Sequence, residues 1–142
     1  MKKIKQIIAA KGSDVAYIDP HANVVDAIRT MTEKNIGSML VMDKGKVVGM
    51  LTEQDFSQKV VLKGRLCEVV LVEEVMSSPV IAIAPNQNIE QAMAIMTDKR
   101  VRHLPVMQDD ELIGLVSIGD LVKALIDEQQ FTIQQLEHYV YC

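Results

Sequence analysis

One short pattern occurs twice in this chain, and it constrains the fold more than any other feature. Gly49-Met50-Leu51-Thr52-Glu53-Gln54-Asp55 and Gly114-Leu115-Val116-Ser117-Ile118-Gly119-Asp120 both read glycine, two apolar residues, a hydroxyl residue, two spacers and an aspartate. A glycine followed by an apolar pair marks the end of a buried strand. A Thr or Ser with Asp three residues later marks a helix start, because the hydroxyl caps orphan N–H groups and the acid suits the positive end of the helix dipole. The correspondence extends outward at one constant offset: Pro20 with Pro85, Ala27 with Ala92, Met31-Thr32 with Met96-Thr97, Lys34 with Lys99, and Val41-Met42 with Val106-Met107. No gap is needed between Pro20 and Leu121, so the chain is an internal duplication.

The first copy reads as a β-α-β-β-α unit. Val15–Ile18 is a short strand, Asp19–Asn23 a turn with Asn23 as N-cap, and Val24, Val25, Ala27, Ile28 and Met31 follow helical spacing through Lys34. Met39–Met42 is a continuous apolar run, hence a strand buried on both faces. Asp43–Lys46 is a hairpin turn, Lys46–Leu51 its return strand, and Thr52 opens a helix through about Val61. The second copy repeats the series, with strands at Val80–Ile83, Leu104–Met107 and Leu112–Val116, a helix carrying Ile89, Ala92, Met93 and Met96, and a last helix opened by Ser117. Residues 1–13 read as a short N-terminal amphipathic helix rather than a targeting segment. The repeats span 14–62 and 77–126, with an ordered connection at 63–76. Residues 127–142 form a polar helical tail in which Phe131, Leu136 and Tyr139-Val140 are docking residues.

Each half is too short to bury a three-stranded sheet alone. The expected fold is therefore α+β, with tandem β-α-β-β-α repeats packed in pseudo-two-fold symmetry as one domain. Two pseudo-equivalent clefts lie at matching strand ends, and the same geometry favours a two-fold homodimer. Hydrophobic residues make up 49% of the chain and aromatics only 4%, so the core must be aliphatic, with nine Met as adaptable filling. A net charge of −4 offers no broad attraction to nucleic acid but leaves room for a small anion held by a local basic cluster. No apolar run approaches membrane-spanning length. Cys67 and Cys142 have no metal or redox spacing and point to a reducing, cytoplasmic setting. Nucleophile-elbow, P-loop, HExxH and paired-cysteine metal patterns are all missing, and His21, His103 and His138 show no metal spacing, so no catalytic or metal site is expected.

Met76-Ser77-Ser78-Pro79, Met93-Ala94-Ile95-Met96, Val101-Arg102-His103-Leu104-Pro105-Val106 and the two corners, in that order, resemble the CBS domain pair, or Bateman module, over about residues 10–126. Thr52–Phe56 with Lys63-Gly64-Arg65 is similar to the stand-alone members, which are not fused to an enzyme. The resemblance implies a regulatory module without chemistry that binds an adenosine ligand such as AMP, ADP, ATP, NAD or S-adenosylmethionine, and that modulates a partner protein. It implies that Asp55 and Asp120 accept from ribose hydroxyls, with Thr52 and Ser117 at the phosphate. By position it places adenine against Tyr17-Ile18 and Ile36-Gly37-Ser38 in one site, and Ala82-Ile83 and Val101-Arg102-His103 in the other. Arg102 and His103, in the densest basic cluster, become phosphate contacts in one site where Gly37 and Ser38 stand in the other, so the two sites are chemically unequal.

Taken alone, the two corners read equally as helix caps, Arg102 and His103 as a solvated strand edge, and Arg65 as part of a surface loop. The competing function is a constitutive interaction or dimerisation module with vestigial clefts. A weaker one is a redox-linked regulator acting through Cys67.

Overall fold

The computed structural model describes residues 2–141, and for Tyr141 the backbone alone. Cys142 therefore lies outside the described residues. The elements run α1 (Ile4–Lys11), β1 (Tyr17–Ile18), α2 (Val24–Lys34), β2 (Ser38–Asp43), β3 (Lys46–Thr52), α3 (Glu53–Phe56), a π-helical turn (Ser57–Val61), α4 (Val72–Val75), α5 (Ile89–Lys99), β4 (His103–Gln108), β5 (Glu111–Ser117) and α6 (Ile118–Tyr141). The fold is α+β and twice repeated, as the duplication requires. The chain separates into two compact units. One is Asp14–Ile81, which holds the first repeat; the other joins the N-terminal segment through Ser13 to the chain from Ala82 onward.

Within the Asp14–Ile81 unit, β1 pairs parallel with β2 and β2 antiparallel with β3. Lys44 and Gly45 both have positive φ at the hairpin, which matches the right-handed twist of the flanking strands. Val24, Ala27 and Met31 of α2 bury against Met39, Val41 and Leu51 of the sheet. Helix α2 ends on Asn35, whose left-handed backbone (φ 53) brings the Ile36 N–H to the Met31 carbonyl at 2.9 Å. The second repeat ends α5 in the same way at Arg100 (φ 56), a residue less suited to that conformation than asparagine. It also shifts register between Val106 and Met107, as the first does between Val41 and Met42.

Two expectations fail for local reasons. Val80–Ile83 does not form a strand; only an isolated parallel bridge from Ile83 to Val106 remains, beside the two-stranded β4–β5 sheet. In the first repeat the Leu40 N–H donates to the Ala16 carbonyl at 3.1 Å. The matching residue of the second repeat is Pro105, which has no N–H to give, so the ladder keeps only the bonds of Ile83 to Pro105 O and from Met107 N. Asn23, expected to cap α2, stands at the N-cap without a side-chain bond. The Val24 and Val25 N–H groups instead donate to the Val70 and Cys67 carbonyls at 2.8 and 3.1 Å. The last helix runs unbroken from Ile118 to Tyr141, joining what the sequence divides into a repeat helix and a tail.

The connecting segment before α4 and the chain start before α1 play the same part in different units. Val70 O accepts from Val24 N, Val72 N donates to Ala22 O, and Glu73 N donates to Pro20 O, at 2.8 to 2.9 Å. In the other unit Lys2 O accepts from Ile89 N, Ile4 N donates to Gln87 O and Lys5 N donates to Pro85 O, at 3.2, 2.8 and 2.9 Å. Leu71 bridges Asn23 as Lys3 bridges Asn88. Each repeat is thus completed by the segment that precedes the other repeat in the chain. The two corner glycines receive these segments. A Cβ on Gly49 would stand 3.1 Å from the Ser77 carbonyl oxygen and 2.9 Å from Met76 Cγ; one on Gly114 would stand 2.8 Å from Ile8 Cδ1.

Gly49→Ala should therefore destabilise the fold by about 1–3 kcal/mol, read as a lower urea midpoint. Gly114→Ala should cost less, because the Ile8 side-chain tip can turn aside whereas the Ser77 backbone cannot. Equal midpoints for the two variants would contradict this.

Candidate functional site

Each unit carries one strand-to-helix corner. In the Asp14–Ile81 unit, Thr52 ends β3 and caps α3. Its Oγ1 accepts from the Asp55 N–H at 3.2 Å, while Asp55 Oδ2 accepts from the Thr52 N–H at 3.0 Å and lies 3.1 Å from Thr52 Oγ1. The Glu53 N–H donates to the Gly37 carbonyl, which ties the corner to the entry of β2. Asp55 is only 9% exposed. A carboxylate so enclosed needs compensation, and Lys59, one helical turn on, supplies it: Nζ stands 3.0 Å from Asp55 Oδ1 and donates to Val75 O at 2.9 Å. Ser77 Oγ lies 3.4 Å from the same Oδ1. Ser38 is buried and pairs with Thr52 across the sheet.

In the other unit the cap is the same and its surroundings are not. Ser117 Oγ accepts from the Asp120 N–H at 3.2 Å, and Asp120 Oδ2 accepts from the Ser117 N–H at 2.8 Å. Ile118 N donates to Arg102 O, and His103 pairs with Ser117 across the sheet. The carboxylate is countered from α1: Lys11 Nζ is ion-paired to Asp120 Oδ2 and also donates to Leu115 O at 2.8 Å. Asp120 and Lys11 line a cavity of about 270 Å³ with Lys2, Lys123 and Asp127.

Ile18 and Ile36 are half-buried against the core of their unit, and Ile83 is buried. Ile36 lines a further cavity of about 440 Å³ with Asp14, Val15, Ala16 and Lys34; Ile18, Gly37 and Ser38 do not. Val101 continues from the Arg100 cap, its N–H bonded to Met96 O. Tyr17 points outward and is 66% exposed. Cys67 is half-buried against the hydrophobic core of its unit. Arg65 pairs with Glu74 at 2.7 Å, and Glu74 is held below the usual carboxylate range by the Leu71 N–H first and Arg65 second. Sequence reasoning missed Lys11, Lys59 and Ser77. The spacing of Asp55 and Lys59 on one helix carries a signal; Lys11 meets Asp120 only through the docking of α1 and leaves none.

The charges at the second corner govern its protonation. Burial pushes His103 below its ordinary value of 6.5, Lys11 and Arg102 push the same way, and Asp120 opposes them. Burial raises the Asp120 carboxyl, but the Lys11 ammonium and the Ser117 N–H outweigh it and leave the group below 3.8. His103 is therefore neutral at neutral pH in the folded chain. A histidine with a depressed folded pKa binds fewer protons folded than unfolded, so its contribution is full above the unfolded value and drains as pH falls below about 6.5. Asp120 adds a loss only at much lower pH, as it falls through the lowered carboxyl value. Melting temperatures recorded between pH 8 and 5 should decline below about 6.5, and His103→Gln should flatten part of that decline. An unchanged profile in the variant would show that His103 is not the group responsible.

No helix among the described residues is long and apolar enough to cross a membrane, and among them no group of three or more His, Cys, Asp or Glu could hold a metal. The CBS-domain sequence profile matches residues 4–61 and 72–127. A solved CBS-domain protein from Burkholderia ambifaria MC40-6 is 44% identical, with a TM-score of 0.87 over 93% of this chain and 99% of that one. The mitochondrial CBS domain-containing protein CBSX3 of Arabidopsis thaliana is 36% identical over 82% of this chain, which spans 59% of that relative's length. The CBS domain pair of protein MJ0100, solved with 5′-methylthioadenosine and S-adenosyl-L-methionine, is 19% identical with a TM-score of 0.79, a likeness of fold alone. With both repeats matched and the repeat architecture in place, the chain belongs to the CBS-domain family.

Proposed function

We propose that the chain is a non-catalytic, homodimeric cytoplasmic module that binds an adenosine ligand, AMP, ATP or NAD, and passes its presence to a partner protein. The observation that carries the reading is the pair of corners. Each holds a carboxylate, Asp55 or Asp120, at a helix start with a hydroxyl and backbone N–H groups beside it. A carboxylate can accept from two vicinal ribose hydroxyls, and helix-start donors suit phosphate. The adenosine compounds held by the MJ0100 domain pair support this ligand class. The second corner is the stronger phosphate site, because Lys11, Lys2 and Lys123 line its cavity while Arg102 and His103 lie at the strand entry. Lys11 therefore acts twice: it occupies Asp120 in the empty site and grips phosphate in the filled one. A ligand that binds one dimer geometry better than another shifts the population toward it, which is how binding reaches a partner.

A second reading is favoured by one specific observation. Both carboxylates already take hydrogen bonds from their own caps, as purely structural acids would. A constitutive interaction module would then show no change in melting temperature with AMP, ATP or NAD, whereas a native-state ligand must raise it.

Isothermal titration should detect at least one of AMP, ATP and NAD at millimolar concentration or below. Asp55→Ala or Asp120→Ala should weaken it about tenfold or more, the scale of one lost charge-assisted hydrogen bond. Lys11→Met should weaken ATP more than adenosine. Absence of any adenosine binding would sink the proposal, and an equal effect of Lys11→Met on ATP and adenosine would remove Lys11 from the phosphate site.

A further inference from the structure

The Asp55 carboxylate is fully engaged before any ligand arrives. Its Oδ2 is committed to the cap, 3.0 Å from the Thr52 N and 3.1 Å from Thr52 Oγ1. Oδ1 is what remains for a ribose, and there Lys59 Nζ stands at 3.0 Å and Ser77 Oγ at 3.4 Å. A pair of vicinal hydroxyls therefore reaches this acid by displacing the ammonium. Lys59 is the group able to leave. Its side chain is 41% exposed against 12% for that of Asp55, and a lysine head on its flexible stem swings into water with its charge well hydrated.

The second bond of Lys59 gives that displacement a consequence. Nζ also donates to the Val75 carbonyl at 2.9 Å, at the end of α4, where carbonyls have no partner within the helix. Val75 is buried, so departure of Lys59 leaves a buried carbonyl without a donor, a state that favours loosening of the segment. The chain that follows is tied to the same corner. Ser77 exchanges two backbone bonds with Met50 of β3, at 2.8 and 3.0 Å, and its hydroxyl reaches Asp55. This is the stretch that leads through Ile81 out of the unit. The second repeat supplies the contrast. At the constant offset of the duplication, Lys59 corresponds to Ala124, which lies in the α-helix α6, whereas Lys59 lies in the π-helical turn. Such turns occur often at functional sites. Lys11, which meets Asp120, bonds instead to Leu115 O of β5.

We infer that Lys59 is a latch: ligand at the first corner displaces it from Asp55, and its release loosens Val75–Ser77, the start of the stretch that leads to the second repeat. The inference rests on the adenosine reading of the Asp55 corner and adds to it the route by which occupancy leaves the site. The first corner is then the one that signals, whichever corner holds phosphate more tightly.

The test reads single amides of the full chain by NMR. Amide shifts of Thr52 and Asp55 report occupancy of this corner as adenosine or AMP is added. Hydrogen exchange at Met76 and Ser77 reports the latch, with the Leu40 amide of β2 as reference. On the native chain, ligand should speed exchange at Met76 and Ser77 several-fold while Leu40 slows or holds. In Lys59→Met the two amides should exchange fast without ligand and respond no further. Adenosine should bind this variant several-fold more tightly, since nothing has to be displaced. Shifts at Thr52 and Asp55 with unaltered exchange at Met76 and Ser77 would overturn the latch and leave the adenosine reading standing. Weaker adenosine binding by Lys59→Met would overturn it too, because Lys59 would then be supporting the site. No shift at Thr52 and Asp55 in either protein would sink the latch and the adenosine reading of this corner together. Should Lys59→Met not fold, Lys59→Gln takes its place, and exchange on the native chain decides by itself.

Discussion

Backbone N–H groups at a helix start must find acceptors, and four such starts organise this protein. Those of α2 and α5 are met by carbonyls of Val70 and Lys2, which belong to segments arriving from elsewhere in the chain, and α5 adds a cap of its own, in which Asn88 Oδ1 accepts from the Gln91 N–H. Those of α3 and α6 are met locally, by Thr52 with Asp55 and Ser117 with Asp120, and by the carbonyls of Gly37 and Arg102. The first pair fixes which segments complete each repeat. The second pair fixes where an acidic side chain stands at a strand end. Architecture and candidate site are thus two outcomes of one requirement.

The two corners share a cap but differ in how their charge is balanced. Asp55 is met by Lys59 from its own helix, through a contact that local folding supplies. Asp120 is met by Lys11, from the far end of the sequence. One corner is therefore set by the sequence around it, and the other depends on the docking of α1. A π-helical turn follows only the first corner, at Ser57–Val61, where Lys59 reaches both Asp55 and the Val75 carbonyl. Duplication gave the chain two equal frames, and the side chains since placed in them no longer match.

Much of this was legible in the sequence because duplication writes itself as a constant offset. The Gly-x-x-Thr/Ser-x-x-Asp corners, the hairpins at Lys44-Gly45 and Asp109-Asp110, and the apolar cores of β2 and β4 all follow from local pattern. The failures share a physical cause: each depended on what a residue meets rather than on what it is. Pro105 was read as part of a buried strand, yet its missing N–H removes the outer strand beside it. Asn23 had the right chemistry for a cap and was displaced by carbonyls of the connecting segment. The pairing of Lys11 with Asp120 was invisible, since nothing in the text of the chain announces that α1 docks on the second repeat.

That docking also orders events in time. The segment that completes the first repeat follows it directly, so the Asp14–Ile81 unit can close as soon as α4 has been synthesised. The partner of α1 comes only near the end of the second repeat. Ile4, Ile7 and Ile8, all buried in the finished protein, are made before the first repeat and stay uncovered until β5 exists to receive them. The chain thus carries an uncovered hydrophobic segment while the first repeat and most of the second are made, an interval in which a nascent protein most needs a chaperone.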